Sequence, residues 1–173
     1  MDKRSPSVRP AAAADLEEIA KIYDHARAFM RSCGNRDQWP GPGYPSLGSA
    51  RLDLEDGILY VAESGGEVVG TFVLIIGLDA TYAHIENGSW RSDAPYGTIH
   101  RIASRGSGVF DAALEFALEQ IGHIRVDTHA DNAPMRHLIA KAGFSHRGTI
   151  YVEDGTPRMA FDYIKEGYDG ESQ

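Results

Sequence analysis

A single cysteine, Cys33, stands in 173 residues, so no internal disulfide can form and the chain suits a reducing compartment, with the cytoplasm expected. No long run of lysine or arginine occurs, and the formal net charge is -8. No nucleic-acid role is therefore expected, and the acidic balance suits a cationic partner better. No apolar stretch reaches bilayer length: the longest, Val68 to Leu78, is broken by Gly70, Thr71 and Gly77, so no membrane role is expected. Met1 to Pro10 carries charge but not the apolar core of a signal peptide. Repeats and low-complexity tracts are missing too.

What is present is the composition of a packed chain, with 42% hydrophobic and 24% charged residues, six Phe, eight Tyr and two Trp. At this length one domain buries roughly 70% of its unfolded surface with no staple. It is expected over residues 1–166, with a frayed tail at 167–173. Val8 to Pro10 suit a short strand. Asp15 then reads as an N-cap with Glu18 three residues on, and Leu16, Ile19, Ala20, Tyr23, Ala26 and Met30 recur at helical spacing. Cys33 to Gly48 is rich in Gly, Pro and Asn yet carries Trp39 and Tyr44, which predicts a lid or pocket wall. Leu59 to Ala62 and Val68 to Ile76 predict a hairpin across Ser64, Gly65 and Gly66. Asp79 to Pro95 has no clean period but gathers Tyr82, His84, Glu86, Trp90 and Arg91. A strand over Thr98 to Ser104, a helix from Val109 to Ile121 and a strand over His123 to Thr128 follow. Asn132 and Pro134 open a last helix that Gly143 ends, before strands at Phe144 to Tyr151 and Arg158 to Tyr163.

The chemistry gathers where the strand ending at Ser104 gives way to Arg105, Gly106, Ser107 and Gly108 and then to a helix. A helix start offers unpaired amides and a partial positive charge, and glycine lets the backbone approach an anion closely. A phosphate-bearing cofactor is the first suspect. The plainer reading is a tight turn that only caps a helix. A P-loop is excluded because no Lys followed by Ser or Thr comes after Gly108, and a dinucleotide fingerprint lacks its third glycine.

The order helix, hairpin, strand, RGSGVF loop, helix, strand, Asn-capped helix ending AGF, hairpin resembles the GNAT superfamily of acyl-CoA-dependent N-acyltransferases over nearly the whole chain. Arg105, Gly106, Ser107, Gly108 and Val109 match that family's (Q/R)xxGx(G/A) pyrophosphate loop. Phe110 departs from it, and its bulk is expected to narrow the cofactor approach. Asn132 to Met135, Leu138 to Lys141, Gly143 and Phe144 look like the second signature, whose Asn lies near the pantetheine arm. The resemblance implies an α/β fold: a central mixed, mostly antiparallel sheet with helices on both faces and a splay between the strands near 98–104 and 124–128. It implies acetyl-CoA as cofactor, its arm in the splay against Ile102, Ala103 and Ser104 and its pyrophosphate on the loop through Phe110. The Ile102 amide then faces the thioester carbonyl as an oxyanion donor. The activity implied is a cytoplasmic N-acetyltransferase acting by direct attack of a primary amine.

Such a reaction needs a proton acceptor for the ammonium and a donor for the departing thiolate. Many relatives carry a carboxylate where this chain has Thr98, and a tyrosine acid where it has Ile139. His100 shares a strand face with Thr98 and Ile102 by alternation and has a suitable ordinary pKa, although a core histidine is the plainer reading. Glu86, among Tyr82, Trp90 and Tyr96, is the other base candidate, and Tyr151 the candidate acid. Trp39, Tyr44, Trp90 and Tyr96 suggest an aromatic acceptor pocket, or else anchors for long loops. His123, His129 and His137 need not converge, so no metal is expected. Cys33 has no activating neighbour and reads as a packing residue. The expected partner is a small-molecule or amino-acid-like amine, and the chain is open to forming a homodimer. A non-catalytic acyl-CoA-binding module is the alternative, and an assembly protein using Asp79 to Pro95 the third.

Overall fold

The computed structural model describes residues 5–39 and 41–170. Its strands are β1 (Ser7–Pro10), β2 (Leu59–Ser64), β3 (Glu67–Ile76), β4 (Gly97–Ser104), β5 (His123–Thr128), β6 (Ser145–Tyr151) and β7 (Pro157–Ile164). Its helices are α1 (Leu16–Ser32), α2 (Leu47–Glu55), α3 (Val109–Gln120) and α4 (Ala133–Lys141). The strands form one seven-stranded sheet in the order β1-β2-β3-β4-β5-β7-β6. Neighbours are antiparallel except β4 and β5, which run parallel.

Apolar residues cover both faces of this sheet. On one, Leu16, Ile19, Ile22, Tyr23 and Ala26 of α1 and Ala50 of α2 pack on Val61, Val73 and Ala103. On the other, Phe110, Ala113, Leu114 and Ala117 of α3 and Ile139 of α4 pack on Phe72, Leu74, Ile99 and Val126. Each fully buried large side chain contributes roughly 1.5–3 kcal/mol, which fixes the register of helix on sheet. Gly70 in β3 lets α3 come close, since a Cβ there would stand 2.5 Å from Val109 Cγ1.

Two irregularities make the site. β4 and β5 pair only at Gly97 with Ile124 and Thr98 with Arg125, and then part, so the expected splay is present. β4 also carries a bulge: Thr71 pairs with Ala103 and Val73 with His100, leaving Arg101 and Ile102 opposite Phe72 alone. Arg101 takes a left-handed φ of 46°, a cost that the surroundings must offset. The bulge reverses the alternation. Ile102 therefore packs on the same cluster as Ile99 instead of sharing a face with Thr98 and His100.

Other local expectations are corrected. Asp15 is already helical, at the end of a 3-10 turn over Ala13–Asp15. Its carboxylate accepts from the Ala12 amide at 2.7 Å and pairs with Arg9, so it does not cap α1 with Glu18. Cys33 is exposed at the end of α1. In the expected frayed tail, residues 171–173 lie outside the described residues. Tyr168, however, packs over Gly122 and donates its hydroxyl to the Pro95 carbonyl at 2.9 Å. Among the described residues no helix is long and apolar enough to cross a membrane.

Candidate active site

A cavity of about 410 Å³ opens where β4 and β5 part. Ile99 to Ile102 line it from β4, Val126 to Thr128 from β5, and Trp39 and Tyr44 from the connection between α1 and α2. That connection is pinned across the opening. The Gln38 carboxamide oxygen accepts from the Thr128 hydroxyl at 3.1 Å, the His129 amide at 2.7 Å and Asn132 Nδ2 at 3.3 Å. The buried Arg158 guanidinium donates to the carbonyls of Asp37 and Gln38, both at 3.1 Å. Trp39 rests edge-on against Tyr23.

His100, which lines this cavity, bonds Asp79 from the connection between β3 and β4, with Nε2 2.7 Å from Oδ2. The hydrogen bond to His100 holds the Asp79 carboxyl down at about 2, with a further contribution from the Thr81 amide. Asp79 is thus a carboxylate, which only accepts, so Nε2 carries the proton and Nδ1 is the basic nitrogen. The Tyr82 ring lies 6.0 Å from that of His100, and its hydroxyl donates to Asp127 at 2.6 Å. Burial first, and then Asp127, push the Tyr82 pKa well up, so the phenol remains a donor. On the other side, Arg101 grips Asp53 of α2 through two bonds of 3.1 and 2.7 Å and reaches the Tyr44 hydroxyl at 3.3 Å. This clamp holds the bulge in its strained form.

A second cavity, about 290 Å³, adjoins the first; Ile102, Phe110 and Met135 line both. Ala103, Ser104, Gly106, Ser107, Gly108 and Val109 also line it. Gly108 begins α3 at φ 80°, where its missing Cβ matters. Among the described residues no protein acceptor meets the amides of Gly106, Ser107 or Gly108. Arg105 lies outside both cavities, its guanidinium turned back to the Val68 carbonyl at 2.8 Å and Glu18 at 3.0 Å. Phe110 is buried against Phe144 and lines both cavities, the loop cavity included. Asn132 caps α4 through the Met135 amide at 3.3 Å and lines the first cavity.

Other candidates lie elsewhere. Glu86 and Tyr151 do meet, at 2.9 Å, but with His84 they form an exposed cluster along the edge of β6, outside both cavities. Trp90 and Tyr96 line neither cavity; they sandwich the buried Arg125 at 4.1 and 3.9 Å. His123 is buried facing the Ala94 carbonyl and His137 is exposed, while His129 has Asp37 and Asp131 within 4.8 Å, so the three histidines do not converge. Asp53, Asp79, Asp127, Gln38 and Arg158 go unnoticed in the sequence. Only Asp127 leaves a trace: it alternates with Arg125 against Ile124 and Val126, giving β5 one charged face.

Residues 19–144 match the family described as Acetyltransferase (GNAT) family. A GNAT family acetyltransferase from Streptococcus agalactiae has a similar structure, with TM-score 0.85 and 29% identity over 94% of this chain and 97% of that one. Ribosomal-protein-alanine N-acetyltransferase from Brucella melitensis shares the fold at 21% identity and TM-score 0.61, over 91% of this chain and 98% of that one. An agmatine N-acetyltransferase shares it at 13% identity and TM-score 0.63, over 92% and 99%. No curated protein matches.

Proposed function

The chain belongs to the GNAT acetyltransferase family, and from that premise we propose that it moves an acetyl group from acetyl-CoA directly to the primary amine of a small or amino-acid-like acceptor. The observation that carries this reading is the adjacency of two halves of a site. His100, backed by Asp79, and Asp127 line one cavity, and a glycine loop with unengaged amides lines the next.

The fit to CoA rests on the loop. Helix-start amides at Gly106 to Gly108 are donors for a diphosphate, and Ser104, Met135 and Lys141 line the space beside them. Bound there, acetyl-CoA supplies the acetyl group as a thioester. Asp127 attracts the acceptor's ammonium into the first cavity, while Tyr82 holds that carboxylate in place. His100 Nδ1 takes the proton that frees the amine for attack, and Asp79 stabilises the imidazolium that results. The Ile102 amide, on a bulge without a register partner, donates toward the developing negative charge; as the new amide forms, the carbon–sulfur bond breaks and CoA leaves as a thiolate that takes its proton from water.

Thiol release from acetyl-CoA across a panel of amines tests the proposal. Amine-dependent release is expected, and tight CoA binding without it would sink the transfer reading. His100→Ala is expected to cut turnover about a hundredfold with CoA affinity kept, as loss of a positioned base does. Gly108→Val introduces a branched side chain at φ 80° with its Cβ 3.1 Å from Pro6 Cδ. It is expected to weaken CoA binding about tenfold or more by disordering the loop; unchanged affinity in equilibrium titration would remove the loop from the site.

A further inference from the structure

The cavity holds one buried charge that the proposed chemistry leaves unused. Arg158, on β7, is only 4% exposed and lines the same opening as His100 and Asp127. Its hydrogen bonds run to three carbonyls, those of Pro157 at 3.2 Å and of Asp37 and Gln38 at 3.1 Å. Among the described residues, no carboxylate comes within ion-pair distance of it. Arg101 has Asp53 and Arg91 has Asp162, both at 2.7 Å. Arg125, also buried, is sandwiched between two rings away from the cavity.

A buried guanidinium whose direct partners are only carbonyl dipoles is costly until an anion comes into contact with it. Burial pushes the Arg158 pKa down, and Asp127, then Asp154 and Asp37, act against that, each from beyond ion-pair distance. Asp127 has the complementary deficit: a phenol donor but no cation in contact. One cavity thus presents an unpaired anion beside the base and an unpaired cation on a neighbouring strand. At the cavity wall Glu153 and Asp154 are exposed, and the Asp154 carboxylate is occupied by the Thr156 amide and hydroxyl. These carboxylates disfavour a ligand of net negative charge while tolerating one whose charges cancel.

Building on the acetyl-transfer reading, we infer that the acceptor is a zwitterionic amino acid, its ammonium drawn to Asp127 and His100 and its carboxylate paired with the Arg158 guanidinium. The planar fork of arginine suits a carboxylate. Asp37 and Gln38 belong to the connection that carries Trp39, so an acceptor on Arg158 sits beneath that wall.

The test is a set of matched series, each an L-amino acid with its primary amide and its decarboxylated amine. Phenylalanine, leucine and glutamate head the series, assayed by thiol release from acetyl-CoA with the wild-type chain. The acid is expected to exceed its own amide about tenfold or more in kcat/KM, expressed in KM, although the amide's amine is the easier to deprotonate. Glutamate is expected to be the poorest acid. Arg158→Gln should bring the acid-to-amide ratio toward one, and Arg158→Lys, which keeps the charge without the fork, should leave it between. Because Arg158 also ties down two carbonyls, the wild-type series decides the matter even where the variants fold poorly. Equal kcat/KM for acid and amide in a chain that does acetylate amines overturns the zwitterion assignment alone. Absence of thiol release throughout, with acetyl-CoA still bound, overturns acetyl transfer as well.

Discussion

Two connections carry aromatic side chains over the sheet, residues 33–46 and residues 79–96, and they use them in opposite ways. In the first, Trp39 and Tyr44 line the cavity, and polar side chains hold the segment: Gln38 bonds to β5 and α4, and Arg158 of β7 grips its carbonyls. In the second, Trp90 and Tyr96 close on Arg125, Trp90 Nε1 donates to the Tyr82 carbonyl at 3.0 Å, and Arg91 bonds the fully buried Asp162. Only its leading end, Asp79 to Tyr82, serves the cavity, through a carboxylate and a phenol. The decisive difference lies in where the cation sits. Arg125 beneath the second segment bonds the Ser92 carbonyl at 2.8 Å and also draws both rings onto its faces as a brace, whereas Arg158 bonds only the backbone of the first segment and leaves its rings for the opening.

The sharpest way to break this contrast is Trp90→Ala. Loss of a half-buried ring that also covers Arg125 is expected to cost about 3 kcal/mol, from lost packing and lost cation–π attraction. Denaturant unfolding measures that loss. The folded fraction should keep the acceptor KM of the parent chain, and a tenfold rise in KM would make the brace part of the pocket after all.

Trp39→Ala probes the other half. Here the acceptor KM is expected to rise about tenfold, which corresponds to about 1.4 kcal/mol of lost apolar contact. Stability should fall less than in Trp90→Ala, because Gln38 and Arg158 still hold the segment. The reverse ranking, a large stability loss with KM unchanged, would make both connections braces.

The difference between these segments was not legible in the sequence, and the reason is physical. Much of the fold was legible: helical spacing in α1, the Asn132 cap and the order of strands are local patterns, and the parting of β4 and β5 came with the family resemblance. The glycine loop was legible too, because an αL helix start selects glycine. The bulge was not. Its left-handed residue is Arg101, held there by Asp53 from 48 residues earlier, and no local rule anticipates that. α2 escaped notice because Asp53 occupies a buried position where helical patterning expects an apolar residue. Trp90 and Tyr96 looked like pocket residues because their partner, Arg125, lies on another strand. Rings and charges are written locally; which ring meets which charge is set by the sheet.

The smallest expected effect concerns the one carboxylate that the brace lends to the site. Asp79 stands at the head of the second segment, its amide bonded to the Tyr96 hydroxyl at 2.9 Å and its carboxylate to His100 at 2.7 Å. Its folded pKa of about 2 lies below the value of a free aspartate, so ionisation favours the folded state. The stability it adds is complete above the ordinary carboxylate range and is lost as the pH falls through about 2. Solvent screening limits it to about 1 kcal/mol. Asp79→Asn removes a titrating group, so the gap in unfolding free energy between parent and variant should be full at pH 6, narrower at pH 3 and nearly closed at pH 2. Urea unfolding at those three pH values measures it. A gap that stays constant would mean that the carboxylate contributes by shape alone. The second segment would then be a brace to its very end, and the contrast with the first would be complete.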